Sequence, residues 1–192
     1  METSKYENIG NMAPDKYQNK YRIKSARLSK WDYGTNAYYF ITICAYEKIC
    51  YFGDIVAGKN GHAYVKLSEI GKIAKEYWLN IIKFHPYVIL DAFIIMPNHI
   101  HGIIQINKFA YGEWTPNEFG PQSQNLASII RGFKSGVTMY AQKHNIDFEW
   151  QPRFYDQIIH DGNALNGIRY YIKTTNPQKW HRDRNNVENI WI

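Results

Sequence analysis

Asp91-Ala92-Phe93-Ile94-Ile95-Met96-Pro97-Asn98-His99-Ile100-His101-Gly102-Ile103-Ile104-Gln105-Ile106 reads as strand, turn, strand: an apolar run, a Pro-Asn turn signal, then a second run rich in isoleucine. Alternate residues of a strand project to one face about 7 Å apart, so His99 and His101 turn two imidazoles toward one point. Ile100, Ile104 and Ile106 occupy the alternate positions, so both faces of this strand are expected to be covered. Buried imidazoles need partners. Ordinary hydrogen bonds meet that need, and so does a divalent metal shared by two neutral rings.

Outward from this stretch, the β-branched and aromatic run Ala37 to Ala45 is the first core strand. A hairpin follows from Tyr51 to Val56 and Ala63 to Leu67, turned around Gly58 to Gly61. After Ser68, an N-cap residue, Ile70, Ile73, Ala74, Tyr77 and Ile81 recur at helical spacing to about Phe84. Tyr87 to Phe93 and His99 to Ile106 are adjacent strands, and 107 to 124, rich in Gly, Pro, Asn and Gln, is a loop. A second helix over Leu126 to His144 buries Leu126, Ile129, Ile130, Phe133, Val137 and Ala141. The stretch Glu149 to Ile159 resumes as a last strand after Pro152, and a third helix, Asn163 to Thr175, ends before Asn176-Pro177. Strand, helix, strand, strand, helix, strand is the split βαβ or ferredoxin-like order. The expected fold is therefore α+β, an antiparallel sheet with helices on one face plus a C-terminal helix. The first and third core strands are then central, which puts His99 and His101 in mid-sheet.

A chain of 192 residues accommodates one packed domain, taken as 35–180, between a basic arm at 1–34 and a tail at 181–192. Its 45% hydrophobic and 16% aromatic content argues against general disorder. No apolar run reaches the roughly 18 residues of a membrane span and the N-terminus lacks a signal-peptide core, so a cytoplasmic protein is expected. Cys44 and Cys50 form no Cys-x-x-Cys, which excludes a zinc knuckle and a disulfide framework. The net charge of +6 suits a polyanionic partner. Lys16, Lys20, Arg22, Lys24, Arg27 and Lys30 follow one another with no acid between them, as either a solvated arm or a phosphate-neutralising strip, with Tyr17, Tyr21 and Trp31 available for stacking.

Two histidines leave most of a divalent ion's coordination sphere open, as an ion that must also bind a phosphate requires. A third ligand and a nucleophile must come from elsewhere. At 100° per residue, Leu165, Ile168 and Ile172 form the buried stripe of the last helix; Tyr171 lies at its border and Tyr170 points nearly opposite. Thr175, four residues beyond Tyr171, could offer an oxygen, with Asn176 close behind.

Met96-Pro-Asn-His-Ile-His-Gly102 resembles the His-hydrophobic-His motif of single-tyrosine HUH transposases, in particular the REP-associated tyrosine transposase group. The runs Ala37 to Cys44, Ile130 to Ser135, Trp150 to Ile159, and Ile168 to Lys173 leading into Asn176 to Trp180 look like segments of the same group in the same order, covering about Ser29 to Trp180. The resemblance implies that His99 and His101 bind a divalent metal, Mg2+ or Mn2+, and that Tyr171 is the nucleophile. It further implies cleavage and rejoining of single-stranded or hairpin DNA through a 5′-phosphotyrosine and a free 3′-hydroxyl. The chain departs from the group at Thr174-Thr175, which looks like a one-residue insertion before Asn-Pro, so the third ligand is Thr175 or Asn176. Lys20, Arg22, Lys24, Arg27, Arg131, Lys134 and Arg153 are the expected DNA contacts. Tyr155, beside Phe154 on a strand, is a competing tyrosine that reads as packing. Two other readings share the fold: a domesticated protein that binds nucleic acid without cutting it, and a phosphodiesterase that uses water. Monomer and homodimer are both left open.

Overall fold

Eight-residue strands whose two faces are both apolar need cover on both sides, and that requirement shapes the domain. A computed structural model describes residues 16–17, 20–21, 31–58, 61–110, 123–175 and 177–186. It divides into two units, Met1–Trp31 and Asp32–Ile192. In the first, β1 (Lys16–Tyr17) pairs antiparallel with β2 (Lys20–Tyr21). Arg22, Lys24 and Arg27 lie outside the described residues.

In the second unit, β3 (Ala37–Cys44) is followed by the hairpin β4 (Gly53–Ala57) and β5 (Ala63–Leu67), then helix α1 (Glu69–Phe84). Strands β6 (Val88–Ile95) and β7 (His99–Ile106), helix α2 (Leu126–Lys143), β8 (Tyr155–Ile159) and helix α3 (Gly162–Tyr170) complete it. The main sheet is antiparallel in the order β6-β7-β3-β8, so the first and third core strands are central, as the split βαβ order requires. The last strand is shorter than its sequence suggests. Before it, Trp150 makes only an isolated bridge to Ala45, and Arg153 adopts a left-handed backbone (φ 67°).

The helices start where their caps dictate. Ser68 Oγ accepts from Gly71 N at 3.1 Å, and Asn125 and Ser128 bond each other's backbone in a capping box. The stripe of α2 is buried as its spacing indicates. In α1 the inward residues are Ile70, Ala74, Trp78 and Ile81, with Ile73 and Tyr77 half-buried, because the largest side chain takes the most enclosed position.

Cross-strand partners share a face, so the register sorts the core. On one face, Gly102 lies opposite Ile41, and Trp78 of α1 covers it, stacking on Phe93 and meeting Phe133 of α2 edge-on. On the other face, Phe40, Ile103 and Ile159 form a floor with Leu165 and Ile172, and His101 and His99 continue that row. Helices α1 and α2 thus cover one face, while α3 shares the other with the histidines.

Gly102 is required by this arrangement. A Cβ there would collide with the Trp78 ring at Cζ2. Gly102→Ala is expected to lower stability by about 1–3 kcal/mol in a urea titration, and an unchanged midpoint would contradict this packing. No helix among the described residues is long and apolar enough to cross a membrane.

Candidate active site

His99 and His101 are 0% and 2% exposed, with ring centroids 4.5 Å apart. The chain fixes the orientation of both rings. The side-chain amide of Asn98 donates through Nδ2 to the carbonyls of Lys48 (2.7 Å) and Asn185 (2.8 Å), so its Oδ1 is the atom facing His99 Nδ1 at 2.9 Å. Oδ1 can only accept. His99 Nδ1 must therefore carry the proton, and Nε2 is left as a bare lone pair. On His101, Nδ1 lies 2.9 Å from the Thr42 hydroxyl, with the Ile41 backbone as a further hydrogen-bond partner. The His101 ring stacks on Phe40 at 5.2 Å.

Both Nε2 atoms are buried without a hydrogen-bond partner. Burial, with the Arg184 and Lys48 charges adding to it, pushes the His99 pKa down to about 3. Burial and the neighbouring His99 do the same to His101, also to about 3. The rings are neutral at ordinary pH, so the 3.8 Å approach of His99 Nε2 to Asp183 Oδ2 sets a lone pair against a carboxylate and is no ion pair. One donor atom each from His99, His101 and Asp183 lie within 4.8 Å of one another. Three electron-pair donors, two of them buried imidazoles held by Asn98 and Thr42, fit a divalent cation.

The titration has a consequence for the metal-free protein. Below pH 6.5 the unfolded chain protonates both histidines, while the folded chain resists until about pH 3. Stability is therefore lost as pH falls through that window, by on the order of 4 kcal/mol for the pair between pH 7 and pH 5. Urea titrations in chelator at the two pH values check this, and equal stabilities would contradict the buried, neutral pair.

Asp183 arrives on the segment after α3. Its Oδ1 accepts from Asn185 N at 2.7 Å, and its own N–H donates to Trp180 O at 2.9 Å. Trp180 stacks over His99 at 6.1 Å, and Lys48 Nζ holds the Arg184 carbonyl at 2.7 Å. Asn98 thus ties the His99 tautomer and the Asp183 segment together. Sequence reading passed over Asp183, placing it in the tail at 181–192. Its one signal was a lone acid within Lys179 to Arg184.

The Tyr171 ring lies 5.5 Å from the His101 ring, and the residue is 37% exposed. Tyr170 is 65% exposed, on the other side of the helix. Arg169 anchors the helix through a bidentate pair with Asp91, Nε at 3.0 Å from both carboxylate oxygens and Nη2 at 2.5 Å from Oδ2. From Tyr171 to Thr175 the chain leaves α geometry for a π turn. An extra residue inserted in a helix produces this geometry, in line with the Thr174-Thr175 surplus. Spacing of four residues therefore no longer stacks Thr175 above Tyr171. The Thr175 side chain and Asn176 lie outside the described residues.

Of the expected DNA contacts, Lys134 gives its ammonium to the carbonyls of Gln151 (2.8 Å) and Arg153 (3.0 Å) and sits over the Trp150 ring. It thereby shapes the loop that displays the exposed Arg153. Arg131 is exposed on α2, across the sheet from the histidines, and for Lys20 only the strand backbone is described. Tyr155 is 52% exposed, where packing was expected, because it lies on the edge strand β8.

No protein-family model matches the chain. A Haemophilus influenzae Rd protein of unassigned function is 39% identical over 170 residues, covering 84% of this chain and 91% of that protein. A REP-associated tyrosine transposase, solved bound to a REP hairpin, superposes with a TM-score of 0.53 at 15% identity, covering 78% of this chain and 70% of that one. The chain belongs to one family with the Haemophilus influenzae protein, and its fold is that of the REP-associated tyrosine transposase.

Proposed function

We propose that this protein is a metal-dependent DNA strand transferase of the single-tyrosine HUH kind, acting on single-stranded or hairpin DNA. The observation that carries the reading is the convergence of His99, His101 and Asp183 with the Tyr171 ring on one face of the sheet. The shared fold, with a neighbour solved on a DNA hairpin, supports it.

In this reading His99 Nε2, His101 Nε2 and an Asp183 oxygen hold a divalent cation, Mg2+ or Mn2+. When bound, that cation supplies Lewis acidity to a phosphodiester oxygen. The chain does the rest. Asn98 and Thr42 hold the imidazoles with Nε2 directed at the site. The apolar floor of Phe40 and Ile172 keeps water from beneath. The phenolate of Tyr171 attacks phosphorus, forming the Tyr171–phosphate bond as the bond to the 3′-oxygen breaks. That oxygen leaves with the electron pair and takes a proton. Reversal with a different 3′-hydroxyl rejoins strands without an external energy source, because the phosphotyrosine keeps the diester's energy. In this reading Asp183 is the third ligand, since its carboxylate already faces the imidazole lone pair.

The test mixes the protein with Mn2+ and a labelled single-stranded hairpin. Label that stays on denatured protein supports strand transfer. Binding without cleavage returns the site to a DNA-holding role, and cleavage without retained label indicates water as the nucleophile.

A further inference from the structure

Tyr155 has no part in the chemistry above, yet it lies in line with it. Thr42 of β3 pairs with His101 on one side and with Tyr155 on the other, so all three project from the same face in one row. Two strand spacings separate Tyr155 from His101, roughly 10 Å. The Tyr155 ring is half-open to solvent, on an edge strand, where an aromatic contributes little to the core. A cation lies over it: the Arg184 guanidinium is 5.7 Å from the ring centroid. Arg184 is itself exposed, follows the ligand candidate Asp183, and has its carbonyl held by Lys48.

An exposed aromatic face and an exposed guanidinium, side by side at the margin of a phosphate-processing site, match the two halves of one nucleotide. We propose that Tyr155 and Arg184 form a shelf for an unpaired nucleotide next to the scissile phosphate, the base stacking on Tyr155 and the flanking phosphate meeting Arg184. This rests on the reading of the site as one that takes single-stranded DNA. The shelf selects for strand state and not for sequence, since every base has a face to stack and inside a duplex those faces are already stacked on neighbouring pairs. Tyr155 is then a binding residue and not a spare nucleophile.

The experiment measures anisotropy of a fluorescein-labelled oligothymidylate in chelator, where binding is read without cleavage. Tyr155→Ala is expected to weaken binding about tenfold, and Tyr155→Phe to leave it unchanged within about twofold, because the ring and not the hydroxyl acts. An abasic oligomer of the same length should bind the wild type and Tyr155→Ala alike. Arg184→Gln should reduce the slope of log affinity against log salt by about 0.7, whereas Tyr155→Ala should leave the slope alone. Wild-type affinity in Tyr155→Ala overturns the shelf, as does an equal loss on the abasic oligomer. If the wild type binds the oligothymidylate and forms the covalent adduct while these variants show no effect, the shelf fails alone. If the wild type binds no single strand, the functional reading fails with it.

Discussion

Tyr171→Phe is expected to abolish covalent capture of DNA, lowering strand cleavage by on the order of 10^4-fold or more, as removal of a catalytic nucleophile does. Folding, cation binding and DNA affinity should be retained, because the phenol ring and not its oxygen makes the contact with His101. The phenol needs help to ionise. Burial raises its pKa above the ordinary 10, the Asp183 carboxylate raises it further, and Arg184 works in the opposite direction. With its charge shared by a bound cation, Asp183 no longer opposes ionisation, so Tyr171 reactivity should depend on the loaded site. The rate should climb with pH across the neutral range, since the reactive form is the deprotonated one. Gel analysis of labelled product across pH checks both points. Full activity in Tyr171→Phe, or a rate independent of pH with chemistry limiting, would contradict the assignment.

The second large effect concerns Asp183. Asp183→Ala should weaken Mn2+ binding about 100-fold or more in calorimetric titration, exceeding the losses typical of residues that only orient a ligand. Asp183→Asn separates structure from coordination. Its amide oxygen can still accept from Asn185 N, so the segment stays docked while the charge is lost. It should melt like the wild type and still bind Mn2+ at least tenfold more weakly. Thr175→Ala should change the affinity by less than about threefold, because the π turn removes the four-residue spacing on which its candidacy rested. The opposite ranking, with Thr175→Ala crippling and Asp183→Ala mild, would restore the helix-end ligand and leave Asp183 as a docking residue.

What could be read from the sequence was local. Alternation around His99 and His101, the stripe of α2 and the cap at Ser68 each depend on residues within a few positions, and the structure places them accordingly. The central position of β3 and β7 followed from element order alone. The miss in α1 was one of degree: spacing defined the helix, but competition for the most enclosed position between Tyr77 and Trp78 depends on Gly102, on a distant strand. The site's third donor was harder to see. Asp183 reaches the histidines through hydrogen bonds from Asn98 to the Asn185 carbonyl and from Lys48 to the Arg184 carbonyl, contacts that no periodicity announces. The helix-end surplus was visible as an extra residue, but its absorption in a π turn, and the resulting loss of the Tyr171–Thr175 alignment, is a backbone outcome. Tyr155 was misjudged because a strand residue looks the same in sequence at a sheet's centre and at its edge.

The measurement that bears most directly on the account is peptide mass spectrometry of protein quenched after reaction with Mn2+ and a single-stranded hairpin. The account predicts a nucleotide attached through its 5′-phosphate to the peptide containing Tyr171, at Tyr171 and not Tyr170. An adduct on Tyr155 instead, or cleaved DNA with every tyrosine peptide unmodified, would contradict it.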